Sequence, residues 1–487
     1  MFSQRTVFSA ATASLLACIA AVIIAAIPPE FGKDSQYYVQ AGHLWESGQV
    51  TYAASLIGSR VFAVLAYFLP QMLFGVSIDS IAIALSAIWL AFSIVLIIWI
   101  YLVAPKGTRL VATMVALGAS LVWVPWNYPL TDQFGVIISV LALGLYDLSR
   151  QHMRSSIWLL IASALICGLG MGFRPEPIML FCLVVCAAVL SHPISKTFGK
   201  RALVCAAMAL AFVAASMMPA VTFRLFSGQP LPAQVSGYFV FFQPVNSLGD
   251  PSFGPNSELL ANLGEEVVAT RADLALLSRI RLGYPEAYSL QGPEFASELY
   301  AMAGIETIAH RPIETAWLLG DAVSQYLFWQ PYSWDIHYST ANHREASTKK
   351  RLAAIDQGRV IDSPRFGGDG TWPVGQLFEK RLSAVAALGP IRGINIPQFV
   401  PPAWTLSLLV GFLIIFGVSR GGISDVAVIA ALLFLAHICL AAFSQGYVLR
   451  YGSSASLPLL ITGIVTLTGF VRKPFPGLMR RMRRRIA

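Results

Sequence analysis

KDSQYYVQAGHLWESG, residues 33–48, follows the first long apolar run of the chain by a few positions and carries a single acid at its start, Asp34. Tyr37, Tyr38, Ala41, Leu44 and Trp45 fall at helical spacing, so the segment reads as a helix lying in the plane of a lipid–water interface, aromatics on one face. A second lone acid, Asp132 in NYPLTDQF (127–134), is expected at the same membrane level on the same side. Two acids at one boundary imply chemistry on a lipid-borne substrate.

The composition agrees. Of 487 residues 56% are hydrophobic and 12% charged, with a mean hydropathy of +0.65, more apolar surface than a soluble chain of this size can hide. The net charge of +9 gathers at the C-terminus, where Arg472, Lys473, Arg480, Arg481, Arg483, Arg484 and Arg485 suit a cytoplasmic tail facing anionic lipid, not a nucleic acid. Cys18, Cys167, Cys182, Cys186, Cys205 and Cys439 all lie in apolar spans without a CxxC, which argues against a disulfide framework or a zinc site. The N-terminal run after Arg5 is long for a signal peptide and precedes many further spans, so it reads as an uncleaved first helix.

Stretches long enough to cross a bilayer lie near 7–27, 78–103, 109–126, 132–148, 157–173, 176–190, 202–223, 402–418, 424–443 and 452–471, about ten crossings. With that parity the loops bearing Lys106 and Arg109, Arg150 and Arg154, Lys196 to Arg201, and Arg420 share the side of the basic tail, which makes the termini cytoplasmic. The shorter apolar segments 59–75 and 312–330 are read as outer interfacial helices, because counting them as crossings would invert every later basic loop. The expected organisation is an N-terminal transmembrane catalytic module (1–224) with a first outer loop (28–77), and a periplasmic domain (225–400). Transmembrane helices (401–471) and a basic tail (472–487) complete it. Within the outer domain helices are expected near 257–281 and 294–310, and 331–375 looks irregular.

On this topology Asp34, Arg60, Asp132, Arg174, Glu176 and Arg450 collect at the outer membrane face, where ionisable groups are costly and so are functional candidates. Each has a plainer reading. Asp34 and Asp132 suit helix N-caps, and Arg60, Arg174 and Arg450 suit side chains that snorkel to headgroups. His337, in the same outer region as His310 and His343, is a further candidate for approaching an acceptor, against a plainer reading as a solvated loop residue. No HExxH or P-loop occurs. Nucleotide sugars are absent outside the cell membrane, so a transferase working there needs a lipid-phosphate donor. Its phosphate leaves without acid assistance, which leaves a carboxylate to take the acceptor proton and arginines to hold the phosphate.

In this order the motifs resemble the GT-C class of polyprenyl-phosphate-sugar glycosyltransferases, which includes protein O-mannosyltransferases and lipid A aminoarabinose transferases. The resemblance rests on DSQYY with a downstream ESG (34–48), an outer helix ending LFG (73–75), YPLTDQF (128–134), and VLRYG followed by LPLL (448–460). It covers 1–190 and 402–471 better than the outer domain. It implies an all-α polytopic fold, a GT-C-like bundle of about ten helices with outer interfacial helices and an α-rich, partly irregular periplasmic domain. It implies further that Asp34 is the catalytic base, Asp132 the second acidic-motif residue and Arg450 a donor-phosphate residue, with Arg60, Arg174, Glu176, Tyr37 and Tyr451 around the substrate. Many relatives carry two adjacent acids where this chain has Asp34-Ser35, so a metal-dependent mechanism is put in doubt. No cofactor is implied beyond the polyprenyl-phosphate sugar, and a divalent metal stays open.

The expected activity is inverting transfer of a sugar to a periplasmic glycan, lipid or protein at the bacterial inner membrane. Three rivals stand beside it. A glycan polymerase or ligase would depend on loop arginines and histidines, a lipid-linked sugar flippase or transporter on internal repeats and broken spans, and a scaffold would leave the acids unused.

Overall fold

The computed structural model describes residues 4–26, 60–75, 78–124, 131–151, 156–190, 198–231, 236–270, 293–329, 425–445 and 449–472, with isolated positions between them such as Tyr38, Ala41, Trp45, Trp126 and Leu409. Asp34, Tyr37, His337, the irregular stretch 331–375, residues 473–487 of the tail and the span 402–418 other than Leu409 lie outside the described residues. For Arg450 and Tyr451 the backbone is described and the side chains are not.

Among the described residues every regular element is a helix, and the chain is an all-α multi-pass membrane protein. In chain order the helices are α1 (Gln4–Ala26), α2 (Val61–Phe74), α3 (Ile78–Val103), α4 (Arg109–Trp123), α5 (Asp132–Gln151), α6 (Ser156–Gly170), α7 (Pro177–Leu190) and α8 (Phe198–Ser216). There follow α9 (Met218–Ser227), α10 (Ser236–Leu248), α11 (Pro255–Thr270), α12 (Pro293–His310), α13 (Pro312–Ser324), α14 (Asp425–Gln445) and α15 (Leu449–Arg472). Five described helical stretches are long and apolar enough to cross a membrane: Thr6–Ala26, Asp79–Val103, Asp132–Gln151, Phe198–Ser227 and Asp425–Ala442. The span expected at 202–223 is divided by a turn at Met217, ahead of Pro219 in the first turn of α9.

Side-chain size decides which way the spans face. On α1 the small residues Ala13, Ala17 and Ala21 are buried, while Val7, Phe8, Leu15 and Val22 are exposed. Small residues let α3 approach closely, and the large ones are left to lipid. Two hydrogen bonds to the α1 backbone fix the contact, from Trp89 Nε1 to Ala17 O and from Ser86 Oγ to Ala21 O, both 3.0 Å. With both polar groups removed, dispersion would be left to hold that contact, since lipid is as apolar as the partner.

The segment that opened the reading departs from expectation. Positions 38, 41, 42 and 45 are helical, but Tyr38, Ala41 and Trp45 are buried in the protein core instead of lying against lipid. Trp45 meets Phe223 of α9 edge-on, ring centroids 5.0 Å apart. An aromatic stripe signals a face that must be covered; periodicity does not say by what.

α2 lies within residues 59–75 and is a short apolar helix with one covered face. Val61, Val64, Tyr67, Phe68 and Gln71 form its buried face, and Leu69, Met72, Leu73 and Phe74 stay exposed at its far end. The stretch 312–330 is more engaged than an interfacial helix needs to be. It forms α13 and a π-helical turn (Gln325–Trp329), packs against α14, and sends Ala322 and Tyr326 into the main core, while Ile313 and Trp317 remain exposed.

A second, smaller core is formed by α10, α11 and α12 around Val245, Leu260, Leu299, Tyr300 and Ala303. Glu306 of α12 closes it, accepting hydrogen bonds from Asn256 Nδ2 (2.6 Å), Ser257 Oγ (2.7 Å), Ser257 N (2.9 Å) and Asn256 N (3.2 Å). It thereby caps the first turn of α11 from a neighbouring helix. Burial raises the Glu306 pKa, but the Ser257 and Asn256 donors outweigh it and the net shift is downward. A depressed folded pKa means stability that is present above the ordinary glutamate range and lost as pH falls through the folded value. Glu306→Ala should therefore destabilise this unit by about 1–2 kcal/mol at neutral pH. Amide exchange across α11 should quicken at pH 7, and the difference from wild type should shrink in acid.

Candidate active site

Arg174 is the centre of the site. α6 and α7 are described over 15 and 14 residues, about 22 and 21 Å of helix. The turn joining them, residues 171–176, is held inside the bundle. Phe62 N, at the start of α2, donates to Gly172 O (2.9 Å), and a side chain at Gly172 would collide with the Phe62 ring and Pro219. The glycine is what allows α2 and α9 to close on the turn.

From this turn Arg174, 3% exposed, reaches two carboxylates. Nη1 donates to Asp132 Oδ1 at 2.5 Å, Nε lies 2.9 and 3.0 Å from the two oxygens of Glu176, and Nη2 also pairs with Glu176. Asp132, equally buried, is the first residue of α5, where the helix N-terminus favours its charge. The ion pairs thus join α5 to the α6–α7 turn. Arg60, the residue before α2, is within electrostatic reach of Glu176 and is itself held by Tyr38, whose hydroxyl accepts from Nη1 and whose ring centroid lies 5.8 Å from the guanidinium carbon.

The structure therefore gathers Asp132, Arg174, Glu176 and Arg60. It assigns Arg174 to the two acids, where the sequence alone had suggested a side chain facing a phosphate or a headgroup. Buried at this depth, a guanidinium satisfied by two carboxylates is the arrangement that avoids isolated charges. Arg450 and Tyr451 stand in the first turn of α15, about 7 Å along the axis from Ala455, which lines the same cleft.

His437 is the residue that the sequence reading missed. It stands on α14 and borders the cleft with Asp132, Ser139, Arg174, Glu176 and Pro458; the empty space there, open mouth included, is about 390 Å³. The signal was available, since His437 is the only Asp, Glu, Lys, Arg or His in LLFLAHICLAAF (432–443). Pro458, across the cleft, withholds the N–H that a backbone carbonyl one turn earlier would take, loosening α15 at this level.

Close approach explains Gly135. A Cβ there would sit 3.0 Å from Arg174 Cδ, and the far end of Arg174 is tied on both sides. Gly135→Ala should lower stability by about 1–3 kcal/mol, the usual effect of overpacking, visible as a lower melting temperature in detergent. Ser139→Ala, one turn on, should leave the melt nearly unchanged.

At the opposite end of α5, Arg150 pairs with Asp425 at the start of α14, and Asp147 accepts from Trp99 Nε1 at 3.0 Å. The end of α5 and the start of α14 are thus together, as the positive-inside pattern requires of these two spans. Among the described residues no group of three or more His, Cys, Asp and Glu side chains has the spacing to hold a metal ion.

No protein-family model matches the chain, and no curated protein matches it. Among solved structures it is similar to the crystal structure of ArnT from Cupriavidus metallidurans bound to undecaprenyl phosphate, at 12% identity and a TM-score of 0.31 over 96% of this chain and 78% of that one.

Proposed function

We propose that this chain is a GT-C-type glycosyltransferase of the bacterial inner membrane, moving one sugar from a polyprenyl-phosphate carrier to a periplasmic acceptor with inversion. The observation that carries the reading is the buried Asp132–Arg174–Glu176 cluster bordering a cleft at one end of an otherwise apolar bundle. Charges are kept at such depth where a polar ligand must be met. Asp34 takes the proton of the acceptor hydroxyl and Arg450 holds the departing phosphate, which gains charge as the glycosidic bond breaks. The fixed Arg174 pair keeps the cleft in shape, and Arg60 adds positive charge beside it.

Two measurements test this. Purified protein in liposomes should transfer radiolabelled sugar from a polyprenyl-phosphate donor, and surface glycans and lipids of a deletion strain should lack one residue by mass spectrometry. Unchanged envelope composition together with no transfer from any such donor would sink the reading. Orientation is checked separately by cysteine labelling, choosing exposed sites. Ser252→Cys should react with an impermeant maleimide from outside and Gln151→Cys only after permeabilisation. The reverse pattern would put the cleft on the cytoplasmic side.

A further inference from the structure

Resting on the proposed function, the chemistry of the cleft narrows which part of the donor it receives. Asp132 and Glu176 border the cavity and between them occupy the Arg174 guanidinium, while Arg60, beside Glu176, is held by Tyr38. A phosphate brought against these carboxylates would find that guanidinium already taken. A sugar ring is different: its hydroxyls are neutral, and each both donates and accepts.

Carboxylates, a serine hydroxyl and an imidazole complement such hydroxyls. Arg174 is saturated by its two acids, whereas the His437 ring makes no hydrogen bond with any described residue and lies on the cavity wall. An imidazole on an otherwise apolar helix that faces the cavity and hydrogen-bonds to none of the described residues is placed to meet a ligand. One ring nitrogen of the neutral form donates and the other accepts, which fits an alcohol in either direction.

We propose that this cleft is the sugar subsite and that His437 is its specificity-determining residue, hydrogen-bonded to a hydroxyl of the transferred sugar, with the phosphate bound elsewhere at the same end of the bundle. The inference separates two parts of one ligand, so it can be tested on them separately. Binding to purified protein is measured by tryptophan fluorescence with undecaprenyl phosphate, which has no sugar. It is then measured with a panel of polyprenyl-phosphate hexoses and pentoses.

Wild type should bind at least one glycosylated lipid more tightly than undecaprenyl phosphate. His437→Ala should weaken that glycosylated lipid by about 10- to 100-fold, the loss of one good hydrogen bond in a dry site, and leave undecaprenyl phosphate unaffected. That unaffected binding also reports that the variant is folded. His437→Gln, which keeps a donor and an acceptor, should recover part of the loss. Equal weakening of both ligands would make His437 a phosphate contact and overturn the proposal. Unchanged binding of both would remove His437 from the site. A wild type that gains nothing from any sugar would overturn the subsite while sparing the carrier assignment, and one that binds neither lipid would overturn the proposed function itself.

Discussion

Arg174→Ala should be the most destructive single substitution in the bundle. It takes from Asp132, 3% exposed, and from Glu176 the guanidinium that pairs them, and removing one partner of a buried ion pair typically destabilises by about 3–5 kcal/mol. The expected result is poor recovery from membranes and a strongly lowered melting temperature in detergent. The cause is the unpaired acids more than the lost arginine, which a compensated variant can show. Arg174→Met combined with Asp132→Asn and Glu176→Gln removes all three charges and should restore most of the melting temperature. Transfer should remain impaired in it, because the acceptor-only carboxylates and the ion pairs that fix the cleft are replaced by amides. If the triple variant is as unstable as Arg174→Ala, packing of the arginine stem, and not charge pairing, holds the turn.

Asp34→Asn should leave stability nearly intact and reduce transfer by about 10²–10⁴-fold, the usual contribution of a general base. Asparagine retains an oxygen able to cap a helix, so a merely structural Asp34 would tolerate the change. The comparison with Asp132→Asn gives the result its force. Asp132 accepts from Arg174 at the head of α5, so its amide variant should lower the melting temperature and disturb transfer through the shape of the cleft. Two acids that look alike in sequence thus separate on two axes, one in turnover and one in stability. Normal turnover in a well-expressed Asp34→Asn protein would return that residue to a capping role.

Much of the bundle was legible in the chain itself. Apolar runs of helical length announce spans because the bilayer demands internal satisfaction of every backbone group, and the basic loops set a parity that the Arg150–Asp425 contact respects. Asp132, Arg174 and Glu176 were legible one by one for the same reason: a charge near hydrocarbon is kept only where something uses it. Their pairing was not. Asp132 and Arg174 lie 42 positions apart, and nothing in either local pattern says that two short helices, α6 and α7, will hold their turn against α5.

What the sequence determined by itself was therefore the class of molecule, apolar runs of which five described ones are long enough to cross, and the residues too costly to be incidental, since each follows from the local cost of putting a group into lipid. Partnership was decided only by the tertiary structure. It turned Arg174 from an expected phosphate ligand into the tie between two acids, buried Tyr38 and Trp45 where an interfacial face was expected, and brought His437 from a distant helix to the same cleft. A charge or an aromatic face states that it needs a partner. Which partner it finds depends on helix lengths and crossings that pack together residues far apart in the chain.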